Sequence, residues 1–245
     1  MSGHSKWATI RRKKSALDAK RGKIFTTLIK EIQIAARDGG DESANPRLRT
    51  AIAAARAVSM PNDNIKKAIL RGTGELPGMT YEEVSYEGYG PGGVAILVEC
   101  LTDNKQRTVS DVRHQFSKYN GSLAENGAVS WMFDERGVLI FDRHVMDEDS
   151  LMELVLESDA EDMATEDTVY EVYCSPKHLH GVQAFFEKKG LKYVSAEIAK
   201  VPQNTVKVEG KSAQTLLKLM EALEDSDDVQ KVWANFDIDD KELVE

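Results

Sequence analysis

Residues 6–23 carry Lys6, Arg11, Arg12, Lys13, Lys14, Lys20, Arg21 and Lys23, opposed only by Asp18. Ammonium and guanidinium groups at this density neutralise phosphates and release the counterions condensed on a nucleic acid. Trp7 sits among them and offers a ring on which a base can stack. On a helical wheel of about 100° per residue the charges point in nearly every direction. Trp7, Ile10 and Leu17 share a narrow side, which Lys14 and Arg21 interrupt. Such a segment has no apolar face to lay on a core, so it is expected to be a part-disordered arm that orders against phosphates. Most charge runs are merely solvated surface. Here the density of the run and the acidity of the rest of the chain favour nucleic-acid binding.

The charge is polarised along the chain. Residues 1–75 hold 16 Lys and Arg against 7 Asp and Glu, a net +9, while residues 76–245 hold 16 against 34, a net −18. A polyanion is therefore drawn to one end of the molecule and repelled by the other. The overall charge of −9 hides this. Further basic groups, Arg47, Arg49, Arg56, Lys66, Lys67 and Arg71, fall on two expected helices, and Lys67 and Arg71 are i,i+4 neighbours on one face. Exposed helix sides would look the same. The candidate nucleic-acid-binding set is Lys6, Trp7, Arg11, Arg12, Lys13, Lys14, Lys20, Arg21, Lys23, Arg47, Arg49, Lys67 and Arg71.

Other chemistry finds little support. Gly88-Tyr89-Gly90-Pro91-Gly92-Gly93 lacks the spacing and terminal lysine of a phosphate loop and leads into a strand, so it is expected to be a tight turn. His4, His114, His144, His178 and His180 form no metal-binding motif. Asp147-Glu148-Asp149 suits the start of a helix and Asp225-Ser226-Asp227-Asp228 a helix exit, and neither has the spacing of a calcium loop. No serine lies in a nucleophile elbow. No enzymatic activity, cofactor, metal or small-molecule substrate is expected.

The elements that must position the basic residues follow from periodicity. The chain has 245 residues, 41% hydrophobic and 30% charged, which suits two or three small domains. Cys100 and Cys174 lie far apart and imply no disulfide framework. No apolar run approaches the ~20 residues of a membrane span, and the first residues lack a secretion signal's apolar stretch. A cytoplasmic protein without membrane association is expected.

Residues 1–78 read as a small helical bundle. One helix carries Ile24, Phe25, Leu28, Ile29 and Ile32 and stops at Gly39-Gly40; a second is capped by Asn45 with Pro46 at its first position; a third runs from Pro61 to Gly72. Residues 79–134 and 203–245 are expected to form one discontinuous α/β domain. Its elements are a strand at Val94–Val98, a helix capped by Thr108 with Asp111 and closed by Gly121, and a strand at Val129–Phe133. The tail adds a short strand at Thr205–Val208, a helix capped by Ser212 and a strand from Val232 to Ile238. Residues 135–202 follow a β-α-β-β-α-β order, an inserted ferredoxin-like domain. The fold class is α+β.

Several stretches strongly resemble the YebC family: Gly3-His4-Ser5-Lys6-Trp7, Asp18-Ala19-Lys20-Arg21-Gly22-Lys23-Ile24-Phe25, Asn45-Pro46-Arg47-Leu48-Arg49, Met60-Pro61 with Asn64-Ile65, Tyr86 to Gly93, Arg107-Thr108, Val112-Arg113, Trp131-Met132-Phe133, Leu223-Glu224-Asp225 and Asp228-Val229-Gln230. Gln106, Asn120 and Ala128 depart from the usual pattern. The resemblance spans almost the whole chain and implies a helical N-terminal domain followed by two α/β domains, one inserted. It also implies a non-enzymatic regulator of gene expression. The family is usually described as DNA-binding transcriptional regulators, while some relatives, mitochondrial ones included, look like translation factors that meet ribosomal or transfer RNA on the ribosome and relieve stalling at proline-rich stretches. The charge polarity suits an end that enters an RNA cleft, and the family's usual description points to DNA.

Overall fold

The computed structural model describes residues 19–239. Lys6, Trp7, Arg11, Arg12, Lys13 and Lys14 lie outside the described residues. Helix α1 (Ala19–Ala35) ends in a 3-10 turn at Ala36–Asp38, and Gly39 at φ 133° turns the chain out of it. Helix α2 (Pro46–Ala57) starts where Asn45 and Pro46 place it: the Asn45 carboxamide oxygen accepts from Leu48 N at 3.0 Å. The same side chain donates to Ala35 O at 2.7 Å and Gly39 O at 2.9 Å, so one amide starts α2 and satisfies carbonyls at the end of α1. Helix α3 (Asn62–Gly72) closes against α1 at Gly72, where a Cβ would lie 2.4 Å from Gln33 O and 2.7 Å from Ala36 Cβ. The shared core is thin and alanine-rich, built on Ile32, Ala35, Ala36, Leu48, Ile52, Ala55, Ile65 and Ala68.

Strands β1 (Glu82–Tyr89) and β2 (Ala95–Thr102) form an antiparallel pair, followed by α4 (Lys105–Lys118) and β3 (Ser122–Leu123). The chain then leaves for β4 (Phe133–Asp142), α5 (Glu148–Glu157), β5 (Asp162–Thr165), β6 (Val169–Cys174), α6 (Leu179–Lys188) and β7 (Ser195–Pro202). It returns through β8 (Val206–Lys207), α7 (Gly210–Glu224), β9 (Val229–Ala234) and β10 (Phe236–Asp237). Strand β9 pairs antiparallel with β2, Val232 opposite Val98, giving a sheet of order β3-β1-β2-β9. The middle domain is thus made from two separated stretches of chain. The inserted sheet has order β5-β6-β4-β7, all antiparallel, the ferredoxin-like arrangement.

Alternation along the strands sorts side chains into layers. Ile96, Val98 and Cys100 of β2 face α4 and α7, and Leu139 of β4 faces α5 and α6. Their neighbours Ala95, Leu97, Val138 and Ile140 point the other way, into a layer shared between the two sheets and filled by Phe133, Tyr173 and Trp233. The two domains are a helix–sheet–sheet–helix sandwich. Among the described residues no helix is long and apolar enough to cross a membrane.

Local boundaries differ from expectation where distant groups intervene. Strand β1 extends into the first residues of the expected tight turn: Gly88 is a strand residue whose missing Cβ makes room for the Phe116 ring, 2.6 Å from where that atom would sit. The strand expected at 129–133 is instead a 3-10 turn at Ser130–Met132. Buried Glu87 takes the N–H groups of Gly127, Val129 and Ser130 at 2.8, 2.6 and 2.9 Å, leaving none of the three for a ladder. The cap of α4 is Asn104, not Thr108, and Asn120 at φ 58°, ahead of Gly121, takes the left-handed turn after it. Helix α7 begins at Gly210, two residues before the expected cap Ser212. The last expected strand splits into β9 and β10 at Asn235, whose carboxamide oxygen accepts from Ala95 N at 2.7 Å.

Candidate nucleic-acid interface

The basic residues of the N-terminal domain divide by what surrounds them. Lys20 and Arg21 lie in the first turn of α1. Lys23, one turn on, reaches across to the middle domain and donates to Ser226 O at 2.9 Å. Lys30 follows on the same face at i+7. Its ammonium is buried and donates to Asp228 Oδ1 at 2.9 Å, Asp227 O at 2.8 Å and Leu101 O at 3.2 Å. It also lies 5.2 Å from the centroid of the Tyr81 ring.

Asp228 is the centre of this junction. Its second oxygen receives Arg107 at 3.0 Å and Thr108 at 2.9 Å, with Thr102 at 3.3 Å. Burial works to raise the pKa of this carboxyl. The bonds from Lys30, Arg107 and Thr108 outweigh that and hold it down at about 2. In the sequence Asp228 reads as a helix exit and Lys30 as an ordinary helix lysine, whereas the structure joins them. The available signal was the stripe Lys23, Thr26 and Lys30 at i, i+3 and i+7 on α1, which names a polar face but no partner.

The arginines of α2 are also engaged. Arg47 pairs with Glu31 at 2.9 Å and with Glu83, tying α2 to α1 and to β1. Arg49 donates to Glu42 O at 2.9 Å and Ser43 O at 2.8 Å, bracing the turn before its own helix. Arg56 meets Glu42 at 3.4 Å.

Helix α3 is different. Its buried stripe is Ile65 and Ala68, and the opposite side presents Lys66, Lys67 and Arg71, all exposed. Among the described residues none of these three has an ion-pair partner. Asn62 is exposed at the start of the same helix, and a connection of four residues, with Ser59 at φ 59°, joins α3 to α2. The structure thus separates Lys67 and Arg71, which face solvent, from Lys23, Arg47 and Arg49, which hold the protein together.

A cleft among the described residues is lined too acidically for a phosphate groove. About 860 Å³ in volume, it lies between α1 and the middle domain. Asp103, Asp111, Asp225, Asp227 and Asp228 line it against Lys30, Arg107 and Lys118, so carboxylates outnumber the lysines and arginines. The two cysteines offer no nucleophile: burial pushes the thiols of Cys100 and Cys174 up to about 12 and about 11.

Comparison with known proteins places the chain among close relatives. The profile of the "TACO1/YebC protein N-terminal domain" matches residues 5–75, and that of the "TACO1/YebC second and third domain" matches residues 81–236. A protein of Syntrophus aciditrophicus named a probable transcriptional regulatory protein is 57% identical over 98% of this chain and 97% of its own length. One of Geobacter sulfurreducens with the same description is 56% identical over 99% and 98%. The crystal structure of a conserved hypothetical protein from Aquifex aeolicus matches with a TM-score of 0.81 at 44% identity, covering 91% of this chain and 93% of that one.

Proposed function

The chain belongs to the TACO1/YebC family, and on that footing we propose that it is a non-enzymatic regulator of gene expression acting in the cytoplasm, holding a nucleic acid with its basic N-terminal domain. One observation carries the reading: residues 1–75 have a net charge of +9 and residues 76–245 a net charge of −18. Attraction to phosphate is confined to one end, where the arm precedes α1 and the outer side of α3 keeps its cations exposed.

The first target is DNA, in keeping with the description of the relatives as transcriptional regulators. Helix α3, following α2 after four residues, is the element best suited to a groove. Lysine and asparagine at Lys66 and Asn62, exposed i,i+4 neighbours on α3, are side-chain types that read guanine and adenine edges. The second target is RNA on the ribosome, favoured by the acidic domains, which would keep all but one end of the molecule out of a phosphate-lined cleft.

Arg11→Glu combined with Lys14→Glu is expected to abolish binding to nucleic acid while the thermal unfolding curve stays unchanged. Undiminished binding by this double variant would remove the arm from the mechanism. Ultraviolet cross-linking in growing cells, with sequencing of both recovered RNA and DNA, separates the targets. Discrete promoter fragments support the first, and discrete ribosomal or transfer RNA peaks the second.

A further inference from the structure

A second concavity, of about 330 Å³, lies where the ends of α1 and α3 meet the linker Leu76–Tyr81. Its charged lining is Arg37 and Arg71, with no carboxylate. Arg37 donates to Tyr81 O through one nitrogen, which holds the guanidinium at the wall and leaves other N–H groups of its fork available. The stem of Arg71 lies across Gly78, where a Cβ would come within 3.1 Å of its Cγ and Cδ. Glycine at 78 therefore lets the arginine lie along the linker. Among the described residues neither guanidinium is in an ion pair. Glu82, which feels the charge of Arg37, is already bound to Lys105 at 2.5 Å.

Two helix C-termini converge here, and each contributes about −0.5 of an elementary charge. Two guanidinium groups exceed that, so the residues lining the pocket carry a net positive charge. Paired arginine forks match the oxygens of a phosphate, and the volume is at the small end of ligand pockets, about 300–1,000 Å³. At the rim Leu76 and Met79 are exposed, Met79 to 66%. Apolar side chains beside a cationic pair suit a phosphate that carries a nucleoside.

We infer that this pocket seats one phosphate of the bound nucleic acid between Arg37 and Arg71, with the attached nucleoside over Leu76 and Met79. The inference rests on the nucleic-acid reading of the N-terminal domain and adds to it a defined position outside the arm. Arg37 enters the interface although it stood in no basic run.

The test is a fluorescence anisotropy titration of the full chain with a labelled single-stranded RNA and a labelled DNA duplex, each over a range of salt. Arg71→Gln is expected to weaken binding about 5- to 10-fold and to lower the slope of log K against log salt by about 0.7–0.9, one phosphate contact. Arg71→Lys keeps the slope and loses part of the affinity, because the charge remains and the fork does not. Met79→Ala weakens binding without moving the slope. Lys192→Gln, which removes a cation from the inserted domain, changes neither. Wild-type protein with a steep slope that Arg71→Gln leaves unaltered overturns the pocket while leaving the arm in place. Wild-type protein that binds neither probe overturns both. Calorimetry with inorganic phosphate distinguishes the source: phosphate binding lost in Arg71→Gln, with nucleic-acid affinity unchanged, makes this a free-anion site and also overturns the inference.

Discussion

Lys30 and Lys67 carry the same ammonium group in the same small domain, and their surroundings give them opposite roles. Lys30 is buried at a domain junction and bonded to a carboxylate and two carbonyls from residues far away in the sequence. Lys67 stands in solvent on α3 with no ion-pair partner among the described residues. The inner side of α1 and the outer side of α3 thus divide the basic residues of one domain into a latch and a set left exposed to solvent. A buried charge must be matched within the fold, because desolvation is expensive, whereas an exposed one costs nothing to leave for a partner. Counting cations along the chain treats both alike.

The contrast can be broken at the latch first. Asp228→Ala leaves Lys30 buried with only two carbonyls and is expected to cost about 3–5 kcal/mol in urea unfolding. A cost below about 1 kcal/mol would mean the junction is no tighter than a surface ion pair and would erase the distinction. A smaller effect follows from acid. The folded-state pKa of Asp228, about 2, lies below the value near 3.9 of an unfolded aspartate. The stability it contributes is therefore present in full above about pH 4 and lost as pH falls toward 2, some 2.5 kcal/mol in all. Unfolding free energies measured across that window should slope in the wild type and flatten in Asp228→Asn. The smallest effect sharpens the other side of the comparison. Lys67→Gln should shift stability by no more than about 0.5 kcal/mol, yet weaken nucleic-acid binding several-fold at low salt. Equal binding by this variant would take Lys67 out of the interface.

Elements with local signals were legible in the sequence. Asn45-Pro46 announced α2 because a cap and a proline act on the next few residues, and the inserted domain showed itself by alternating strand and helix periodicities. Features fixed by distant groups were not. Glu87 is an acidic residue before a glycine-rich turn in the sequence, yet in the fold it is buried and gathers three N–H groups from some forty positions away, turning an expected strand into a tight turn. Asn235 sat inside an apparently continuous strand, and its bond to Ala95 moves the chain from one sheet to another. In the candidate interface Lys67 and Arg71 were legible as neighbours on one helix face. Arg37 was not, because its companion Arg71 and the carbonyl of Tyr81 come to it only through the packing of α3 and the linker.

By itself, the sequence determined the polarity of this protein: a basic helical end and an acidic α/β body. Charge and periodicity are additive along the chain and survive any arrangement of it. The tertiary structure decided which cations remain available. Lys23 and Lys30 meet acceptors about two hundred residues away, and Arg47 meets β1, while Lys66 and Lys67 on the outer side of α3 have no ion-pair partner among the described residues. That outcome depends on where each charge is desolvated, which is a property of packing and not of composition.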